Sequence, residues 1–194
     1  MKLSLLICTL PQRRDFFQAL MRELRRQLQA LNAWSEVEIL SDDSQGISIG
    51  EKRNYLLSIA DGDYLAFIDD DDRVSPNYIK LLLEGIATNP DACSLHGIIT
   101  DDGKNPRHFY HSLKFTSWYE ENSVYYRYPN HLSTIKSSIA KRFKFPKINT
   151  GEDHDWSTQI FKSGLIKSEY WIDEIIYYYD HRSVKSEMGQ NPRH

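Results

Sequence analysis

The chain reads as an α/β protein: a mostly parallel central sheet flanked by helices, with a small antiparallel part toward its carboxyl half. Three observations predict this. Four apolar runs, "LSLLIC", "VEIL", "DYLAFI" and "ACSLHGII", fall within residues 1–100. The stretches between the strand candidates carry apolar residues at helical spacing rather than in alternation. Strands joined through helices of that length return to the same edge and run parallel. From about Asp101 to Asn130 the composition then turns aromatic, polar and turn-rich, which is the signature of hairpins.

Each element has a local reason. "LSLLIC" has no polar alternation beyond one serine, so it is a strand buried on both faces. After Pro11, Phe17, Leu20, Met21, Leu24, Leu28 and Leu31 form one helical stripe, with Arg22, Arg25 and Arg26 on the solvated side. "VEIL" is the second strand. Ser48 and Glu51 form a capping-box pair that opens a helix carrying Lys52, Arg53, Leu56 and Ile59. "DYLAFI" is the third strand. Ser75 and Pro76 read as the N-cap and first residue of a helix whose buried stripe is Ile79, Leu82, Leu83 and Ile86. "ACSLHGII" is read as one fourth strand. Antiparallel pieces are expected around "HFYHSLKF" and "SVYYRY", and "HLSTIK", "EYWID" and "EIIYYYD" are short strand candidates. A helix starts at Glu152 and stops at Gly164.

Size and charge narrow the function. A chain of 194 residues is expected to be one domain, with residues 1–100 and 101–180 as its halves and a polar tail, 181–194, that is mobile. The formal net charge of −3 excludes a polyanion binder acting by bulk charge, and no nucleic-acid partner is predicted. Cys8 and Cys93 lie in apolar segments and read as reduced core thiols, which fits the cytoplasm. The amino-terminal apolar run is too short for a leader or a transmembrane segment.

The chemistry gathers at strand ends, where ligands bind in open α/β sheets. The first strand ends at Thr9, the second at Asp42 and Asp43, and the third at four consecutive aspartates, Asp69 to Asp72. Four adjacent like charges cannot all be buried without partners. A carboxylate cluster on a rigid strand end suits a hard divalent cation, Mg2+ or Mn2+, which commonly bridges to phosphate. Arg13, Arg14, Lys52 and Arg53 supply positive charge nearby, and there is no glycine-rich phosphate loop. Asp153 lies one turn before Trp156 on the buried side of its helix. As a bare pattern it is equally a helix-start residue paired with Thr150. His96, His108, His111, His131 and His154 show no ligand spacing and read as structural. Trp118, Tyr119, Tyr125 and Tyr126 either stack on a sugar or pack against one another.

The ordered set "LSLLICTLPQRR … VEILSDDS … GEKRNYLLSIADGDYLAFIDDDDRVSP … GEDHDW … YYYDHRS" resembles a family 2 glycosyltransferase with the GT-A fold. Arg53, Asn54, Ala60, Gly62, Asp69, Asp71, Asp72 and Pro76 fall at the family's spacings. The resemblance implies a metal-dependent, inverting transfer of a sugar from a nucleotide-sugar donor to a saccharide or other hydroxyl acceptor. The implied donor is a UDP-sugar first, with GDP- and dTDP-sugars as the other candidates. Thr9, Asp43, Arg53, Asp69 and Arg182 would hold the donor. Asp71, with Asp69 and His181, would ligate Mn2+ or Mg2+, and Asp153 would be the general base. The family's "PTYNR" is replaced by "CTLPQRR", and the membrane helices of processive members are absent. So short a chain is expected either to leave its acceptor site open or to have it completed by a second subunit in a homo-oligomer. Two other readings remain at this point. One is a haloacid dehalogenase-type phosphatase using Asp70 and Asp72, which with Val74 satisfy "DxDxV". The other is a sugar-nucleotide-binding module without catalysis.

Overall fold

The structure, a computed structural model, describes residues 1–182. The expected tail from Ser183 to His194 lies outside the described residues, and only His181 and Arg182 of it are inside. Element order is β1 (Leu3–Cys8), α1 (Arg14–Leu31), β2 (Val37–Asp42), α2 (Ile49–Ile59), β3 (Tyr64–Phe67), β4 (Arg73–Val74), α3 (Tyr78–Ala87), β5 (Ala92–Cys93) and β6 (Leu95–Asp101). There follow β7 (Lys104–His111), β8 (Tyr119–Glu121), β9 (Val124–Arg127), β10 (Thr134–Lys136), α4 (Ser137–Ala140), α5 (Glu152–Ser163), β11 (Glu169–Tyr170) and β12 (Tyr177–His181).

Among the described residues the strands form two six-stranded sheets. The first has the order β11-β5-β10-β3-β1-β2, with β1 parallel to both β2 and β3. β10 is inserted antiparallel between β3 and β5. Side chains of β1 serve two cores. Leu3, Leu5 and Ile7 pack toward α1 and α3, while Leu6 and Cys8 pack toward α2, α4 and α5. That alternation puts helices on both faces, as expected, and it explains why β1 is buried throughout. Cys8 and Cys93 are free and buried, and burial pushes both thiols up to about 12. No helix among the described residues is long and apolar enough to cross a membrane.

Local signals account for most boundaries. The Ser48–Glu51 capping box is present in both directions and starts α2. Asn32 and Gly164, both with positive φ, end α1 and α5. Gly62 turns the chain into β3 so close to β1 that a Cβ there would lie 2.5 Å from the Ser4 nitrogen.

Three expectations are corrected. Ser75 does not cap α3. Asn77 stands at the cap without a side-chain bond, and the Ile79 amide donates to Gln27 of α1, 2.9 Å away. A tertiary partner thus meets the free helix N–H that a local serine was expected to meet. "ACSLHGII" is two strands, because Ser94 leaves the first sheet. Its amide donates to the Tyr170 carbonyl and its hydroxyl accepts from the Ile172 amide, so β5 stays in the first sheet while β6 enters the second. The second sheet, of order β4-β12-β6-β7-β9-β8, is mixed rather than simply antiparallel. β7 and β9 run parallel because β8 carries the chain back before β9 forms.

One pH dependence follows from this packing. His111, at the end of β7, is 1% exposed and sits opposite Arg127. Burial, then the charges of Arg127 and His131, hold its imidazole well below the ordinary histidine value of 6.5. Below that value the unfolded chain takes up a proton that the native chain refuses, so this residue lowers stability as pH falls through about 6.5 and below. Urea midpoints at pH 7 and pH 5 should therefore differ less in His111→Phe than in the unsubstituted chain. An unchanged difference would assign the acid loss to other groups.

Candidate active site

The four aspartates follow β3 as a tight turn, closed by the Asp72 amide donating to the Asp69 carbonyl. Each carboxylate has its own partners. Asp69 accepts from Arg53 Nη2 at 3.0 Å through Oδ1, and its Oδ2 faces His131 Nε2 at 3.6 Å. Asp70 accepts from the Thr9 hydroxyl at 2.7 Å and pairs with Arg13 at 2.9 Å. Asp71 pairs with Arg13 and, at 3.2 Å, with Arg182. Asp72 accepts from the Tyr177 hydroxyl at 2.7 Å, and that same hydroxyl accepts from the Asp69 amide. The cluster is therefore neither a solvated turn nor a stack of bare charges. Burial still pushes the Asp70 carboxyl up to about 6, against the pull of Arg13 and Thr9. The Asp71 carboxyl is also raised by burial, with Arg13 opposing.

Arg53 is the cation at the centre. It is 1% exposed, and its guanidinium lies 5.1 Å from the Phe67 ring and 5.6 Å from the Phe145 ring. From α2 it reaches Asp69 on one side and Glu152 on the other, the latter at 3.4 Å. Glu152 is also buried, and burial raises its carboxyl above the usual range with Arg53 as the main opposing charge. Lys52 does not point toward a phosphate position. It is buried, and its Nζ donates to the Thr9 carbonyl at 2.7 Å, which pins the end of β1.

The second half of the chain closes the cluster. The N-cap of α5 is Gly151, which has φ 82° and provides no side-chain bond. Asp153 is thus not paired with Thr150 as a cap; it is 8% exposed and faces His131, whose Nδ1 lies 3.5 Å from its Oδ2. Trp118 flanks the same helix start, with the His154 ring edge-on at 4.6 Å and the Arg127 guanidinium 4.4 Å from its own ring. Tyr119 and Tyr126 stack together, and Tyr125 receives Arg107. His181 lies beside Asp101 at 3.5 Å, and Arg182 crosses from β12 to Asp71.

The predicted residues are therefore brought together unequally. Thr9, Arg53, Asp69, Asp71 and Arg182 form one contiguous network, and Asp153 joins it through His131. At the end of β2 it is Asp42 that is buried, accepting from the Ser44 amide, while Asp43 is exposed at the rim. Reading His131 as merely structural misses its place between two site carboxylates. Its neighbours carried a signal: "PN" before it is a turn pair, so it sits in the turn ahead of β10. No spacing rule could have paired it with Asp69.

The chemistry of the donor set fits a hard divalent cation. Asp69 and Asp71 offer carboxylate oxygens on one rigid turn, and Mg2+ or Mn2+ takes its remaining ligands from phosphate and water. Among the described residues no group of three or more acidic, histidine or cysteine side chains is arranged to hold a metal by itself. Asp70 and Asp72, which a phosphatase nucleophile pair would need to expose, are 1% and 4% exposed and face inward. A cavity of about 750 Å³ beside Lys2, Gly62, Tyr64 and Lys136 lies at the opposite ends of β1 and β3 and contains none of these acids.

The comparisons with known proteins agree with this geometry. The model of the family described as glycosyl transferase family 2 matches residues 15–154. Over 109 residues the chain is 23% identical to a glucosyl-dolichyl phosphate glucuronosyltransferase of Haloferax volcanii, covering 55% of this chain and 33% of that protein. Among solved structures, S. aureus TarS 1-349 in complex with UDP-GlcNAc superposes with a TM-score of 0.65 at 17% identity, covering 98% of this chain and 61% of that one. TarS 1-349 in complex with UDP gives 0.62, also at 17% identity, over 93% and 60%. The chain thus spans about a third of the curated relative and about three-fifths of the TarS chains. At these identities the superpositions carry the fold alone, and the family model carries the membership. The chain belongs to glycosyl transferase family 2 and has the GT-A fold.

Proposed function

We propose that this chain transfers a sugar from a nucleotide-sugar donor to an acceptor hydroxyl, with inversion at the anomeric carbon and with a divalent cation at the aspartate turn. The observation that carries this reading is that Asp69 of the donor turn and Asp153 of α5 face a common imidazole from opposite sides. Donor-side and acceptor-side carboxylates are thereby held in one site.

Asp153 takes the proton from the acceptor hydroxyl as that oxygen attacks the anomeric carbon, and the nucleoside diphosphate departs from the opposite face. No covalent enzyme intermediate is needed. Asp71 and Asp69 would hold Mn2+ or Mg2+, which would supply positive charge to the departing diphosphate. Arg13 and Arg182 place positive charge at the same turn, where a diphosphate carries its negative charge. A role for His181 as a further ligand requires it to leave Asp101. Thr9 and Asp43 are the proposed nucleoside contacts, and Trp118 and Arg127 border the acceptor side. TarS was solved with UDP and with UDP-GlcNAc, which favours a UDP-sugar as the first donor to try.

The test is a panel of UDP-, GDP- and dTDP-sugars with Mn2+, Mg2+ or EDTA, read first as thermal stabilisation. A ligand at about a hundred times its Kd adds about 2.7 kcal/mol to stability. Stabilisation by the matching nucleoside diphosphate should require the metal, and Asp71→Ala should remove the metal dependence while the chain stays folded. Equal binding in EDTA would remove the cation from the proposal. A donor that binds without release of nucleoside diphosphate, to water or to any acceptor, would favour the non-catalytic module.

A further inference from the structure

We infer that His131 is the positioning residue of the site: its Nδ1 side orients the carboxylate of Asp153, and its Nε2 side faces Asp69 of the donor turn. The inference rests on the transferase reading above.

The ring is held independently of both acids. The His131 carbonyl accepts from the Phe67 amide at 3.0 Å, so the backbone is fixed to the last residue of β3. The Asn130 side chain accepts from the Leu132 amide and the Ser133 amide returns to the Asn130 carbonyl, which locks the turn around His131. The ring itself packs tilted against Phe67. It is 2% exposed, and neither ring nitrogen has a hydrogen-bond partner within ordinary geometry. A buried donor or acceptor without a partner is costly, so this arrangement has to be offset by something. What surrounds the two nitrogens is one aspartate each, Oδ2 of Asp153 at 3.5 Å from Nδ1 and Oδ2 of Asp69 at 3.6 Å from Nε2. Each separation is a few tenths of an ångström beyond a hydrogen bond. An imidazole always carries at least one N–H, so in either tautomer a donor points at an aspartate.

The consequence for the reaction is directional. With Oδ2 of Asp153 facing the ring, the imidazole sets the direction in which that carboxylate is presented. On the far side, Asp69 is held from two directions, by Arg53 on Oδ1 and by the ring on Oδ2. A rigid side chain then spans the donor carboxylate and the base. A misplacement of about 1 Å at a reacting group can cost about 10²-fold in rate.

Asn and Gln separate the two sides of the ring, because an Asn amide nitrogen imitates Nδ1 and a Gln amide nitrogen imitates Nε2. His131→Asn should retain turnover within about threefold and raise the donor KM. His131→Gln should lower turnover by about ten- to a hundredfold and leave UDP binding unchanged, and His131→Phe should show both defects. Equal effects of Asn and Gln that follow the loss of thermal stability, or no effect of either, would overturn the assignment. Nitrogen-15 shifts of the His131 imidazole in the folded chain decide the matter without any histidine variant. Asp153→Asn should move Nδ1 more than Nε2, and Asp69→Asn the reverse. Shifts insensitive to both substitutions would overturn it. A chain that turns over no sugar nucleotide counts against the transferase reading, and the imidazole shifts still test the histidine.

Discussion

Asp153→Asn is expected to lower sugar transfer by about 10²–10⁴-fold while UDP binding with metal is retained, the usual scale for loss of a general base. The substitution keeps shape and removes only the proton acceptor. It should not unfold α5, because the N-cap residue of that helix is Gly151, not Asp153. The helix-dipole contribution lost with the charge is about 0.3–1 kcal/mol. Glu152 cannot substitute as base: it is 1% exposed and committed to Arg53 inside the network. Single-turnover transfer and UDP titration on the same preparation separate the two effects. Transfer at a near-normal rate would mean that another group takes the proton.

Arg53→Met carries the largest expected stability loss. Removing the guanidinium leaves Glu152 buried and without its counter-charge, and takes the Arg53 contact from Asp69. Breaking a buried pair from one side costs about 3–5 kcal/mol, a large part of the about 5–15 kcal/mol that holds a typical domain. The loss should depend on pH. Burial already raises the Glu152 carboxyl above its ordinary 4.5, and without Arg53 it rises further. The variant's native state then keeps a proton that the unfolded chain releases above about 4.5, so its stability falls as pH climbs beyond that value. Urea unfolding at pH 8 should show the full deficit, and unfolding at pH 5 a smaller one. Adding Glu152→Gln should recover part of the pH 8 loss. A deficit below about 1 kcal/mol, equal at both pH values, would mean that the pair is not held as described.

Much of this molecule was legible in the order of its residues. β1, α1, α2 and α5 follow from apolar spacing and from caps that lie within a few residues of each other, and the GT-A fold followed from the motif set. The boundaries that failed share one feature. Ser75 gives up its cap role to Gln27 and Ser94 divides an unbroken apolar run, each because of a partner distant in sequence, and β9 turns out parallel to β7 because of the strand between them. Propensity is local, and a tertiary contact overrides it wherever it satisfies the same backbone group.

The site divides in the same way. The sequence by itself determined the four aspartates at a strand end, the arginines near them and the acidic start of α5, because a run of like charges behind an apolar strand is costly without a partner. Only the tertiary structure decided which cation answers which carboxylate. It sends Lys52 to the Thr9 carbonyl, encloses Arg53 between Asp69 and Glu152, brings Arg182 back to Asp71, and sets His131 between Asp69 and Asp153. Those pairings depend on distances of a few ångströms between segments far apart in the chain. Charge interactions fall off with separation in space, not along the sequence, so only folding could choose among them.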